Sequence, residues 1–150
     1  MTIAVSSPVF DEGDQIPQRF TCDGVDVSPP LSFTGLPEQA AELALLVEDP
    51  DAPGGTFTHW MVWGIDPEQS SLGEGEVPDG ATQGRNGFGR RAYGGPCPPR
   101  GRSHRYTFEV LALSEPLRLP AAASAADLRR ATAGKVSASG RLTGRYQRRW

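Results

Sequence analysis

Two imidazoles, one carboxylate and one phenol are the side chains in this sequence best placed to act together. His59 and His104 are its only histidines. Each begins a run in which apolar and other residues alternate, and each follows a stretch rich in Gly and Pro. Asp49 closes another such run, Leu43 to Asp49. Strand side chains alternate with a period of two and advance about 3.3 Å per residue. Leu43, Leu45, Val47 and Asp49 therefore share one face. His59, Met61, Trp63 and Ile65 share a second, and His104, Tyr106, Phe108 and Val110 a third. Paired antiparallel, these strands bring Asp49, His59 and His104 to one end of a sheet. A carboxylate and two imidazoles at the rim of an apolar face are costly unless they pair or bind something.

The chemistry this permits is capture of an anion. Imidazole N–H groups, the Tyr106 hydroxyl and backbone N–H groups of the Gly-rich loops are donors around a concavity, which suits phosphate. Asp49 and Asp51 would orient the histidines or meet the amine of a zwitterion. A single histidine on an apolar face is more often satisfied by a carbonyl; two with a carboxylate at matching positions favour a pocket. Two rivals use the same residues. Asp49, His59, Cys97 and His104 could ligate zinc, but their spacing fits no compact ligand motif. Cys97 could be a nucleophile beside a histidine, although a small buried thiol is the simpler reading. No catalytic residue, metal or cofactor is assigned.

The elements that must position these groups follow from pattern. With 150 residues, 37% hydrophobic and 22% charged, the chain suits one domain, residues 1–150. Eighteen Gly and 14 Pro point to a turn-rich β protein. Short strands are expected at 2–7, 16–21 and 31–33, then the two central strands. Residues 67–79 read as a surface loop, and 80–102 as a long Gly/Pro-rich loop of the kind that is usually functional or disordered, its aromatics Phe88 and Tyr93 arguing for order. The strand His104–Leu113 is half buried. Ser124 to Asp127 resembles a capping box, so a helix is expected from about Ala125 to Ala133, ending at Gly134 and covering one end of the sheet. The strand Val136–Tyr146 closes the chain. Many strands and one short helix near the C-terminus give a mainly all-β antiparallel sandwich.

Charge excludes little but is unevenly spread. Residues 1–76 hold 14 acidic and one basic side chain, and residues 77–150 hold 14 basic and four acidic. The basic residues form no continuous run, so the halves are expected to interleave and attract, and the net charge of −3 makes no case for nucleic acid. The N-terminus lacks a charged segment followed by an apolar one, and no run is apolar enough to span a membrane. The expectation is a cytoplasmic protein without integral membrane association, in which Cys22 and Cys97 are free thiols. Exposed strands make a homodimer plausible.

Longer motifs carry a resemblance. DPDAPGG at Asp49 to Gly55 followed by His59, and GGPCPP at Gly94 to Pro99 followed by His104-Arg105-Tyr106, resemble the two signatures of the phosphatidylethanolamine-binding protein (PEBP) family. TCDG and SPPLSF within Thr21 to Phe33, and LTGRY at Leu142 to Tyr146, look like its bacterial and archaeal, Raf kinase inhibitor-like branch. The resemblance implies a PEBP-like β-sandwich with a small anion pocket at one end. It places Asp49, Asp51, Pro53, His59, Pro98, Pro99, His104 and Tyr106 in the pocket. Cys97 stands where eukaryotic relatives usually have Gly, and Phe57 near a rim aromatic. It further implies binding of phosphate or carboxylate groups on a small ligand or a protein target, in a regulatory or inhibitor module. The alternative is a hydrolase using His59 or His104 as acid/base. Three departures are visible: no C-terminal helix follows Trp150, Gly87 stands where Asp is expected, and Arg100 and Arg102 add positive charge beside the pocket.

Overall fold

The computed structural model describes residues 2–148. Two antiparallel sheets face each other. The smaller contains β1 (Ala4–Ser6), β2 (Leu31–Thr34) and β5 (Ser71–Leu72), in that order. The larger contains β3 (Glu42–Asp49), β4 (Phe57–Ile65), β6 (Thr82–Gln83), β7 (Ser103–Leu113) and β8 (Val136–Gln147), in the order β6-β4-β3-β7-β8. One helix, α1 (Ala125–Thr132), lies between β7 and β8 in sequence. The sandwich expected from the sequence is present.

The main core fills the space between the sheets. Ile3, Leu31, Phe33 and Leu72 meet Leu43, Leu45, Val47, Trp60, Val62, Phe108 and Val110. A second, smaller core lies on the outer face of the large sheet, where Ala44, Leu46, Met61, Trp63, Leu111 and Leu113 are covered by Ala123 and Leu128. The helix therefore covers a sheet face, not a sheet end as expected. That is why β3 is a nearly continuous apolar run: it is buried on both sides. Ser124 caps α1 as its sequence predicts, accepting from the Asp127 N–H at 3.2 Å while Asp127 accepts from the Ser124 N–H at 3.0 Å.

Strict alternation fails on β4. Val47 pairs with Trp60 but Glu48 with Thr58, so His59 is an extra residue on its strand; a second shift lies between the Leu43–Ile65 and Leu45–Val62 pairs. These bulges split the face expected for His59, Met61, Trp63 and Ile65. Met61 and Trp63 enter the smaller core, whereas Trp60, Val62 and Ile65 enter the main one. Elsewhere, the strand expected at 16–21 is a 3-10 turn, Gln18–Phe20, approached by an isolated bridge from Gln15 to Arg145. Pro17 removes a ladder donor there. The loop at 67–79 contains β5.

Cys22 and Cys97 are not free thiols: they form a disulfide with a Cα separation of 5.4 Å. Their 75-residue separation conceals that both belong to loops at the same end of the sandwich. There the Cys22 N–H donates to the Pro96 carbonyl at 3.1 Å.

Candidate functional site

The strand ends at Asp49, Phe57 and Ser103 lie together, because β3 pairs with both β4 and β7 in antiparallel register. Two loops close over them, the β3–β4 connection and the segment before β7. Between them is a pocket of about 220 Å³ lined by Asp49, Ala52, Pro53, Phe57, His59, Phe88, Cys97, Pro98, Pro99, His104 and Tyr106. Pockets for drug-sized ligands hold roughly 300–1,000 Å³, so this one suits a small group.

Its floor is polar. Nδ1 of His104 lies 2.7 Å from Oδ2 of Asp49, and both side chains are buried. The other Asp49 oxygen accepts the Asp51 N–H at 2.8 Å. Nδ1 of His59 lies 2.6 Å from the Gly94 carbonyl, and the Gly94 N–H returns a bond to the His59 carbonyl at 3.0 Å. A carbonyl and a carboxylate only accept, so each Nδ1 carries the proton. Each Nε2 is therefore an acceptor in the neutral ring and a donor only in the imidazolium. This revises the expectation of two free imidazole N–H donors. Burial pushes the His59 pKa down, against the opposing pull of the Gly94 hydrogen bond and Asp49.

Tyr106 supplies the remaining donor. It is 1% exposed, and its hydroxyl is buried without a hydrogen-bond partner among the described residues. Burial first, then the Asp49 charge and the approach of the Asp49 side chain to the hydroxyl, raise its phenol well above the ordinary range, so it stays protonated. A buried hydroxyl without a partner costs about 1–3 kcal/mol. It is the group a ligand would satisfy.

The rim is aromatic. The Phe57 and Phe88 rings are 4.8 Å apart, centroid to centroid, and 5.0 and 5.7 Å from the His59 ring. His59 in turn meets Tyr106 edge-on at 5.3 Å. The guanidinium of Arg90 lies 5.9 Å above Phe88. Gly87 permits this arrangement, since a Cβ there would come within 2.5 Å of the Phe57 ring.

Of the residues expected in the site, the structure brings together Asp49, Pro53, His59, Cys97, Pro98, Pro99, His104 and Tyr106. Asp51 is not among the lining residues. It accepts from the Arg105 backbone N–H at 2.8 Å and from that guanidinium at 3.0 and 2.8 Å. Hydrogen bonding to Arg105 holds its carboxyl down at about 2. Arg105 lies on the outer face of β7, which draws Asp51 outward. Ala52 and Phe88 escape a sequence reading. For the latter the signal was only that an aromatic in so Gly- and Pro-rich a loop argues for order. Among the described residues no three His, Cys, Asp or Glu side chains gather as metal ligands.

The fold and site define a β-sandwich with a small pocket at one end of its larger sheet. The model of the phosphatidylethanolamine-binding protein family matches residues 6–147, and the chain belongs to that family. It is thus a PEBP-like ligand-binding protein. A UPF0098 protein of Pyrococcus horikoshii is 46% identical, over 99% of this chain and 78% of that protein. A UPF0098 protein of Aquifex aeolicus is 47% identical, over 96% of this chain and 88% of its own. A Mycobacterium tuberculosis protein named "Putative lipoprotein LppC" is 42% identical, over 97% of this chain and 72% of that protein. Among solved structures, the PEBP homolog CT736 of Chlamydia trachomatis matches with a TM-score of 0.93 at 38% identity, covering 98% of each chain. Escherichia coli YbcL matches at 0.91 and 33%, covering 98% of this chain and 99% of that one. No helix among the described residues is long and apolar enough to cross a membrane, and with a relative named as a lipoprotein, a cytoplasmic location remains an expectation.

Proposed function

We propose that this protein is a binding module for a small ligand ending in a phosphate or carboxylate group. The observation that carries this reading is the Tyr106 hydroxyl, buried and without a partner beside two imidazoles in a pocket. A phosphate or carboxylate oxygen accepts from Tyr106. A second ligand oxygen meets Nε2 of His59 or His104, accepting from an imidazolium or donating its own proton to a neutral ring. Arg90, Arg100 and Arg102 are exposed in the same loops and attract an anion by charge. The group can belong to a free metabolite or to a phosphorylated side chain, in which case the module regulates or inhibits its partner. The hydrolase alternative lacks a nucleophile: Cys97 is tied in a disulfide and no serine lines the pocket.

Calorimetric titration with inorganic phosphate at pH 7 tests the reading. Saturable one-to-one binding, weakened at least fivefold by Tyr106→Phe, is the expected result. No heat with phosphate or acetate up to 50 mM (about fifty times the concentration that half-saturates a site of Kd 1 mM) would contradict it.

A further inference from the structure

The wall of the pocket opposite the histidines is held in an unusual way. Residues 97–100 make no backbone hydrogen bond among the described residues, and Pro98 and Pro99 have no N–H to give. The preceding stretch is well tied to the loop around Cys22. Gly95 N–H donates to Asp26 at 2.8 Å, and the Tyr93 hydroxyl to the Phe20 carbonyl at 2.7 Å. A Cβ at Gly95 would lie 2.3 Å from that same carbonyl. Beyond Pro96 these ties stop until Gly101, whose N–H donates to the Arg148 carbonyl at 2.9 Å. Between the two, Cys97, Pro98 and Pro99 are held by the disulfide, by Arg148 at 3.8 Å from the Cys97 sulfur and by the burial of Pro98. The Cys22 side is firm, because neighbouring Asp23 accepts from the Tyr146 hydroxyl at 2.6 Å and from Arg148 at 3.2 Å. Cys97 itself is exposed and Cys22 only partly so.

We propose that the Cys22–Cys97 disulfide is a thiol-exchange site whose redox state sets the order of the pocket wall, and through it the affinity for the ligand. The second half rests on the anion-binding reading; the first does not. The reactant is a dithiol. One of its thiolates attacks the sulfur of Cys97, the more exposed residue of the pair, the Cys22–Cys97 bond breaks, and Cys22 leaves as a thiolate and takes a proton. The second dithiol sulfur then displaces Cys97 from the mixed disulfide. The dithiol is oxidised by two electrons to its own disulfide, and both cysteines become thiols. The Arg148 guanidinium steadies the departing Cys97 thiolate. The main core reaches the Cys22 loop at Phe20 and Tyr146, and that loop keeps its own hydrogen bonds when the disulfide opens, so reduction frees the wall without unfolding the sandwich, a local opening rather than a global one.

The test compares oxidised protein with protein treated with dithiothreitol, its free thiols counted by alkylation, and with the Cys22→Ser/Cys97→Ser double variant. Trypsin cleavage after Arg100 reads the wall, and phosphate titration reads the pocket. Reduction is expected to speed cleavage at Arg100 at least tenfold and to weaken phosphate binding at least fivefold, with both reversed on reoxidation. The proposal is overturned if the bond resists dithiothreitol in folded protein, if the thiols are free but cleavage changes less than twofold, or if circular dichroism shows global unfolding on reduction. Faster cleavage with unchanged affinity overturns the link to the ligand. If the oxidised protein binds no phosphate, it is the anion reading that fails, while the cleavage arm still decides the exchange site.

Discussion

Two hydrogen-bond accounts at single residues decide how this pocket works. The Tyr106 hydroxyl is buried with no partner at hydrogen-bonding geometry among the described residues, and the nearby Asp49 side chain only raises its pKa, so Tyr106→Phe removes an unsatisfied hydroxyl. Its midpoint in urea is expected to equal or exceed that of the parent, while phosphate affinity falls; a loss of more than 1 kcal/mol, within the cost range of breaking a made hydrogen bond, would show that the hydroxyl has a protein partner. His59 makes the opposite bargain. Its ordinary pKa is near 6.5, and burial lowers it in the folded chain. Below pH 6.5 the unfolded chain therefore binds more protons at this site, and stability is lost as the pH falls from 6.5 through the folded value. Denaturation from pH 7 to 5 should show a slope that shrinks in His59→Gln; an identical slope in both would remove the desolvated imidazole from the account. These residues were legible in sequence because histidine is rare here and both sit at strand starts. The Asp49–His104 pair was anticipated, since Asp49 was expected to orient a histidine; the Gly94 carbonyl that fixes Nδ1 of His59, 35 residues distant, was not.

Strands and loops carry the next level. The alternation of His104, Tyr106, Phe108 and Val110 predicts β7 directly, and the Ser124–Asp127 cap predicts α1. Periodicity fails on β4, because a bulge at His59 is a local insertion with no residue type that marks it. The insertion nevertheless places both His59 and Trp60 on the inner side, one in the pocket and one in the core. The loop expected at 80–102 contains β6 (Thr82–Gln83), and its place as a pocket wall was not legible, since its contacts are made to β4 and to the Cys22 loop. Gly87 illustrates this. Its departure from the family pattern finds its reason in the Phe57 ring, which occupies the space a side chain would take. Gly87→Ala should displace Phe57 and weaken phosphate binding several-fold while shifting the thermal midpoint by only a few degrees. Unchanged binding together with an unchanged Phe57 ring resonance would refute that steric account.

At the scale of the molecule, the acidic and basic halves of the chain interleave. Asp51 with Arg105, Glu48 with Arg129, Asp23 with Arg148 and Asp49 with His104 all join one half to the other. β3 and β4 from the first half share a sheet with β7 and β8 from the second. The disulfide does the same, and no sequence rule could have paired cysteines 75 residues apart when redox compartment was the only guide. What these cross-links hold in place is the pocket, and its occupancy is the central claim. The most direct test is an NMR titration of the two histidine rings with inorganic phosphate, each ring assigned by His59→Ala and His104→Ala. Both rings are predicted to shift together along one saturable curve. Rings that remain still, or that move independently with different midpoints, would contradict a shared anion pocket.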